Sequence, residues 1–167
     1  MPRTPKRRQS HLRSVRIMQS LFSSERELVQ NFVLQALDKR QSPFAAPQIA
    51  KEFYYLNGRI DVVALGKNRR LLGFEAKLTK WRDALHQAYK NSSFCHFSYV
   101  LLPAEISARA FRARDCFLQR RVGLCSLDNG RIIIKIRAPL NKPLQPWLTK
   151  SAKEFILKGS NADKAGI

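Results

Sequence analysis

Gly58-Arg59-Ile60-Asp61-Val62-Val63-Ala64-Leu65, then Gly66-Lys67-Asn68, then Leu71-Leu72-Gly73-Phe74-Glu75-Ala76-Lys77, is the stretch whose reading decides the fold. Two apolar runs flank a short polar connection, which predicts a β-hairpin. Both arms are mostly apolar, so they are expected in the interior of a sheet, covered on both faces. If Asp61 stands opposite Glu75, Leu65 stands opposite Leu71, and residues 66–70 close the loop, an ordinary hairpin length. Side chains alternate along a strand, so this register predicts Asp61, Glu75 and Lys77 on one side of the sheet. A slip by one residue would separate them.

Three charged side chains inside apolar strands are costly to bury unless each has a partner. Asp61 and Glu75 supply the hard oxygen ligands that Mg²⁺ prefers, with Mn²⁺ a substitute and the Ala76 carbonyl a further ligand. A cation held there lowers the pKa of water and clamps a phosphate oxygen. Lys77 is then placed to position that water or to neutralise charge developing on phosphorus. The plainer reading is a buried ion pair between Lys77 and a carboxylate.

Upstream, a first helix is predicted from about Ser20 to Leu37, with Ser23 and Ser24 as competing caps. Leu28, Val29, Phe32, Val33 and Ala36 share one helical face. Glu25 projects onto that arc and Glu27 away from it, so Glu25 is the acid expected to complete the metal shell. Residues 41–57 read as a loop or irregular strand. Downstream, a second helix spans about Lys80 to Ser92 with Trp81, Ala84, Leu85, Ala88 and Tyr89 on its apolar face. Gln87 on the flank is an accessory candidate for orienting water or a backbone phosphate. A strand from Phe97 to Leu102 follows, expected to return parallel to the Glu75 strand. A helix is predicted from about Ala104 to Arg120, striped with Ile106, Ala110, Ala113 and Phe117. Strands Val122–Leu127 and Arg131–Ile136 are joined through Asp128-Asn129-Gly130, a tight-turn signal. This order predicts an α/β domain over residues 20–138, a mixed central sheet flanked by helices. Residues 139–167 read as a Pro-containing C-terminal tail with a short helix at about 150–158.

The 167 residues carry 31 Lys plus Arg against 12 Asp plus Glu, a formal charge of +19. Such an excess favours a polyanion, because neutralised phosphates release condensed counterions. The expected partner is a nucleic acid. Contacts are expected from Arg7 and Arg8 in a flexible basic arm at residues 1–19, and from Lys80, Arg109 and Arg112; the alternatives are an inert solubilising tail and a merely solvated helix face. No long apolar run argues for a membrane. Cys95, Cys116 and Cys125 are odd in number and lack a Cys-x-x-Cys spacing, which predicts reduced thiols and a cytoplasmic location. His11, His86 and His96 are scattered and read as non-ligands. Phe53, Tyr54, Tyr55, Trp81 and Tyr89 read as core packing, with base stacking as the alternative.

The chain resembles the PD-(D/E)xK nuclease superfamily, the restriction-endonuclease-like fold. The resemblance rests on the Ser24-Glu25-Arg26-Glu27-Leu28 helix, Ile60-Asp61, Glu75-Ala76-Lys77 and the following Gln87 helix, in that order. The Glu-Arg-Glu-Leu opening is similar to archaeal Holliday-junction resolvases. The likeness covers roughly residues 20–102. It implies a restriction-endonuclease-like core, Mg²⁺ dependence, DNA as substrate, and Glu25, Asp61, Glu75 and Lys77 as the active-site set with Gln87 accessory. Small enzymes of this fold are often dimers, so a homodimer is an expectation of the same kind. Ile60 stands where the family often has proline, and Gln87-Ala88-Tyr89 lacks the longer glutamine-to-tyrosine spacing of one branch. The resulting expectation is a metal-dependent endonuclease that hydrolyses DNA phosphodiester bonds with a metal-activated water. The alternative is a non-catalytic DNA-binding module that keeps the fold.

Overall fold

A computed structural model describes residues 22–46, 48–56 and 58–165; the basic arm, with Arg7 and Arg8, lies outside them. Helix α1 runs Glu25–Leu37. It starts later than the periodicity implied because Ser24 is its N-cap, its Oγ accepting the Glu27 N–H at 3.1 Å. The Glu27 carboxylate turns back to accept from the Ser23 N–H and Oγ, at 2.7 and 2.6 Å. Those bonds hold the Glu27 carboxyl below its ordinary pKa. Two acids in the first turn also suit the positive end of the helix dipole. Leu28, Phe32 and Ala36 recur at four-residue spacing and are buried, as the periodicity predicts.

Among the described residues six strands form one sheet in the order β1-β2-β3-β4-β5-β6: Gln48–Tyr55, Gly58–Leu65, Leu71–Ala76, Phe97–Pro103, Gly123–Asp128 and Arg131–Ile136. The hairpin register is the one read from the sequence, with Leu65 opposite Leu71 and Val62 opposite Phe74. Its loop holds a 3-10 turn at Lys67–Arg69, closed by Gly66 N–H donating to the Arg70 carbonyl at 2.9 Å. β3, β4 and β5 run parallel, while β1–β2, β2–β3 and β5–β6 are antiparallel. The protein is therefore α/β, with a mixed six-stranded sheet. At Asn129-Gly130 both residues have positive φ, 47° and 73°, as a two-residue primed turn between Asp128 and Arg131 requires.

Three expectations change. The stretch read as loop or irregular strand at 41–57 contains β1, which pairs with β2 at the sheet edge. An edge strand needs only one bonded side, and its Lys51, Glu52 and Tyr54 are exposed, so its sequence lacks the apolar signature of β2. The single helix expected at Ala104–Arg120 is two, α3 at Ala104–Phe111 and α4 at Arg114–Gln119. Between them Arg112 and Ala113 donate three residues back, to Arg109 and Ala110, instead of continuing the α-helical ladder. The short helix expected near 150–158 is a 20-residue helix, Pro146–Ala165, labelled α5. Pro146 begins that helix, a position where its missing N–H costs nothing.

Helix α2 spans Trp81–Asn91. α1 covers one face of the sheet, packing on Val62, Phe74, Leu101 and Cys125. The other face is covered twice. α5 places Leu148, Ala152 and Ile156 against Val63, Leu65, Leu71 and Phe94, while α2 and α3 pack on Val100, Leu102 and Leu124. The Thr149 hydroxyl, donating to the Phe94 carbonyl at 2.7 Å, ties α5 to the loop after α2. Among the described residues no helix is long and apolar enough to cross a membrane. Cys95, Cys116 and Cys125 are all free thiols.

Ile156 is fully buried beneath the sheet. Ile156→Ala should therefore destabilise the fold by about 2–5 kcal/mol in urea unfolding, the usual range for such a truncation. A loss within about 0.5 kcal/mol, typical of surface positions, would mean that α5 does not dock.

Candidate active site

The site lies where β2 and β3 part. Their ladder ends at Val62 opposite Phe74, and Asp61 and Glu75 come next on the two strands. The Asp61 side chain takes over the role of the missing backbone partner: its Oδ2 accepts the Ala76 N–H at 2.9 Å. Beside Asp61, regular alternation is broken. Ile60 joins Val63 and Leu65 in one cluster, although even numbering would put it with Val62 and Ala64. The facing residue on β1, Glu52, carries a positive φ of 56°, a backbone distortion of the kind that re-aims strand side chains.

Asp61 is 9% exposed and Glu75 2%. Their carboxyls lie within hydrogen-bonding reach of each other. Burial, followed by the negative charge of Asp61, pushes the Glu75 carboxyl up to about 8. Three groups act on the pair. Asn91, from the last turn of α2, donates its side-chain amide to Glu75 Oε1 at 2.5 Å. The Tyr55 hydroxyl donates to Asn91 Oδ1 at 2.9 Å and so orients that amide. Arg59 donates to Asp61 Oδ1 at 3.1 Å and reaches Glu52 at 3.4 Å.

Lys77 and Glu25 form a second pair, Nζ to Oε2 at 3.1 Å, joining the end of β3 to the first turn of α1. Lys77 also acts on Glu75 electrostatically, favouring its ionised form. Glu25, Arg26, Lys51, Glu52, Arg59 and Asp61 line a cleft of about 370 Å³ between α1 and the β1–β2 edge. Glu75 is bonded from α2, through Asn91, while Lys77 is paired with α1, through Glu25. Lys77 lies beyond the last residue of β3, so strand alternation no longer dictates where it points. Asp61, at the opening between the strands, is reached from both sides.

The chain brings together Asp61, Glu75 and the Ala76 amide, with Lys77 and Glu25 beside them. Gln87 is exposed on α2, and Asn91, one turn later, is the α2 residue that reaches Glu75. Asn91 continues the buried stripe Ala84-Leu85-Ala88 at helical spacing, so its phase carried the signal. Tyr55 and Arg59 had no such signal, because their roles depend on the β1–β2 pairing. Among the described residues no group of three or more His, Cys, Asp or Glu is placed together to hold a metal ion. Asp61 and Glu75 are the two carboxyls that meet, and Glu25 is engaged by Lys77. Phe53 is buried, and Trp81 stacks on Phe117 at 5.8 Å, so both serve packing. Tyr54 and Tyr89 are exposed. Lys80, Arg109 and Arg112 are exposed as well.

Comparison with known proteins places the fold without naming a function. No family model matches the chain, and no curated protein does. Among solved structures, it is similar to a protein of unknown function from Silicibacter pomeroyi, with a TM-score of 0.58 and 16% sequence identity. The match covers 86% of this chain and 89% of that one.

The raised Glu75 carboxyl has a consequence for stability. Its folded pKa of about 8 exceeds the ordinary 4.5, so the folded chain keeps a proton that the unfolded chain releases. This contribution to stability is complete below pH 4.5 and is lost as pH rises through about 8. Without divalent cations, wild type should lose stability across that window relative to Glu75→Gln, which retains the hydrogen bonds without titrating. Parallel stability–pH curves from urea unfolding would contradict the buried pairing.

Proposed function

We propose that this protein is a Mg²⁺-dependent endonuclease that hydrolyses DNA phosphodiester bonds, built on the restriction-endonuclease-like core of the PD-(D/E)xK superfamily. The observation that carries the reading is the meeting of Asp61 and Glu75 at the fork of β2 and β3, with Lys77 beside them. Two buried carboxyls in contact repel each other when both are ionised, and a hard cation held by Asp61 and Glu75 would remove that cost. Mg²⁺ is commonly held by one or two carboxylates, with water and substrate phosphate completing its shell, so this donor set fits it. Glu25 on α1, Asp61 on β2, Glu75 on β3 and Gln87 on α2 follow one another in the order of the resemblance, which supports the reading.

When bound, the cation supplies Lewis-acid activation of water and charge neutralisation at phosphorus. Asp61 and Glu75 ionise and hold their geometry through the Ala76 amide and Asn91. Lys77 is partnered by Glu25 before substrate arrives. A phosphate entering the cleft competes for that ammonium, and Lys77 then faces the charge that grows on the phosphoryl oxygens. Glu25, once released, is available to accept a proton from water entering at the α1 side. Arg26, Lys51 and Arg59 supply the cleft with positive charge for the flanking backbone.

One feature favours the rival reading, a binding module without chemistry. Arg59 already neutralises Asp61, and Glu25 already neutralises Lys77, so the site is satisfied as it stands. The two readings part on cleavage. Plasmid, duplex, branched and single-stranded DNA should be cut in Mg²⁺ or Mn²⁺ and spared in chelator. Asp61→Ala and Lys77→Ala should each lower the rate by about 100-fold or more, as for loss of a preorganised charge. Cleavage unchanged in both variants, or salt-sensitive binding with no cleavage by wild type, would exclude the enzyme.

Metal uptake gives a second check. Mn²⁺ competes with the proton on Glu75, so its affinity should rise with pH up to about 8 and then level. Titration calorimetry would show this, and Asp61→Ala should abolish it. An affinity independent of pH over that range would remove Glu75 from the ligand set.

A further inference from the structure

Behind the carboxylate pair lies a second, larger groove of about 720 Å³ between the end of α2, the β1–β2 turn and the start of α5. Its lining includes Leu56, Tyr89, Leu144 and Trp147, which are 92%, 51%, 82% and 61% exposed. Lone exposed apolar side chains are ordinary, but four around one groove mark a binding surface. Lys90, Arg121 and Lys142 also line it, and among the described residues no carboxylate does. Flat rings and cations lining one groove match a polyanion whose bases are unpaired: the rings offer stacking surfaces, and the cations suit the phosphates.

The groove is built, not a chance gap between loops. The Ser93 carbonyl accepts both the Leu144 and Gln145 N–H, at 2.8 and 3.0 Å. Gln145 also donates its side-chain amide to Ser93 Oγ at 3.1 Å. Arg121 donates to Asn141 Oδ1 at 2.9 Å and to the Leu140 carbonyl at 2.8 Å. The wall bearing Leu144 and Trp147 is thereby fixed against the end of α2. Tyr55 belongs both to the groove lining and to the chain of bonds that runs through Asn91 to Glu75.

We infer that this groove holds a single-stranded segment of the nucleic-acid substrate, its bases on Trp147 and Tyr89 and its backbone along Lys90 and Lys142. The inference rests on the phosphodiester reading of the carboxylate pair for its purpose. Binding and cleavage are separate measurements, so either can fail alone. The two rings are half or more exposed, so replacing them should leave the fold intact; circular dichroism and urea unfolding would verify that.

The test is fluorescence anisotropy in chelator, with fluorescein-labelled oligo-dT and a duplex of equal length as probes. Trp147→Ala and Tyr89→Ala should each weaken oligo-dT binding by about 5-fold or more, the range measured for one stacked base. Trp147→Phe should restore most of it, and duplex affinity should change less than twofold. Oligo-dT affinity unaltered in both alanine variants would overturn the inference. Equal losses for the two probes would do the same. So would a wild-type dimer in sedimentation that Trp147→Ala converts to monomer, because a second copy would then cover the groove. Loss of oligo-dT binding in a protein that cuts no DNA would leave the groove assignment standing and remove the nuclease reading alone.

Discussion

The contact on which the site depends is the meeting of two carboxyls in a nearly dry place. Asp61 and Glu75 stand on adjacent strands just past the last bonded pair of the hairpin. Burial raises the cost of charging both, and proximity raises it again. The fold tolerates them because every group around them has been matched. The Ala76 amide and Arg59 serve Asp61, and Asn91 serves Glu75. Neither carboxyl is stabilised by its own strand alone. Both depend on the sheet opening at this point, so the local strand geometry and the electrostatics of the site are one arrangement.

That arrangement explains why the surrounding elements are where they are. α1 begins at Glu25, and its capped first turn delivers the Glu25 carboxylate to Lys77. α2 ends at Asn91, whose amide reaches Glu75. β1 supplies Tyr55 and Glu52, one orienting Asn91 and the other sharing Arg59 with Asp61. α5 closes the far face of the same strands with Leu148, Ala152 and Ile156. Removing any of these supports leaves a buried polar group short of a partner or a strand short of its cover.

Much of the hairpin was legible because two signals agreed. The apolar runs demanded a covered sheet, and the spacing of Asp61 and Glu75 was compatible with a loop of ordinary length. The register was legible only as the pairing that brings Asp61 to Glu75, since a one-residue slip would separate them. The face of α1 was equally plain from Leu28, Phe32 and Ala36. β1 was obscured by its exposed edge position. α5 was obscured because Pro146, which starts the helix, follows Pro139 and Pro143 in a stretch whose prolines mask the helical onset. Gln87 drew attention through its chemistry, yet helical phase already placed Asn91 on the inward stripe.

By itself, the sequence determined the mixed α/β sheet, the hairpin and the strong positive charge. It also singled out two acids, Asp61 and Glu75, whose spacing lets them lie across from each other. Those are consequences of periodicity, loop length and composition, which act locally or by simple sums. Only the tertiary structure decided that the strands open beyond Val62 and that Lys77 turns to α1 while Glu75 turns to α2. It also decided that Asn91, Tyr55 and Arg59 complete the surroundings of the pair. These depend on where elements far apart in the chain come to rest, and no short-range pattern encodes that.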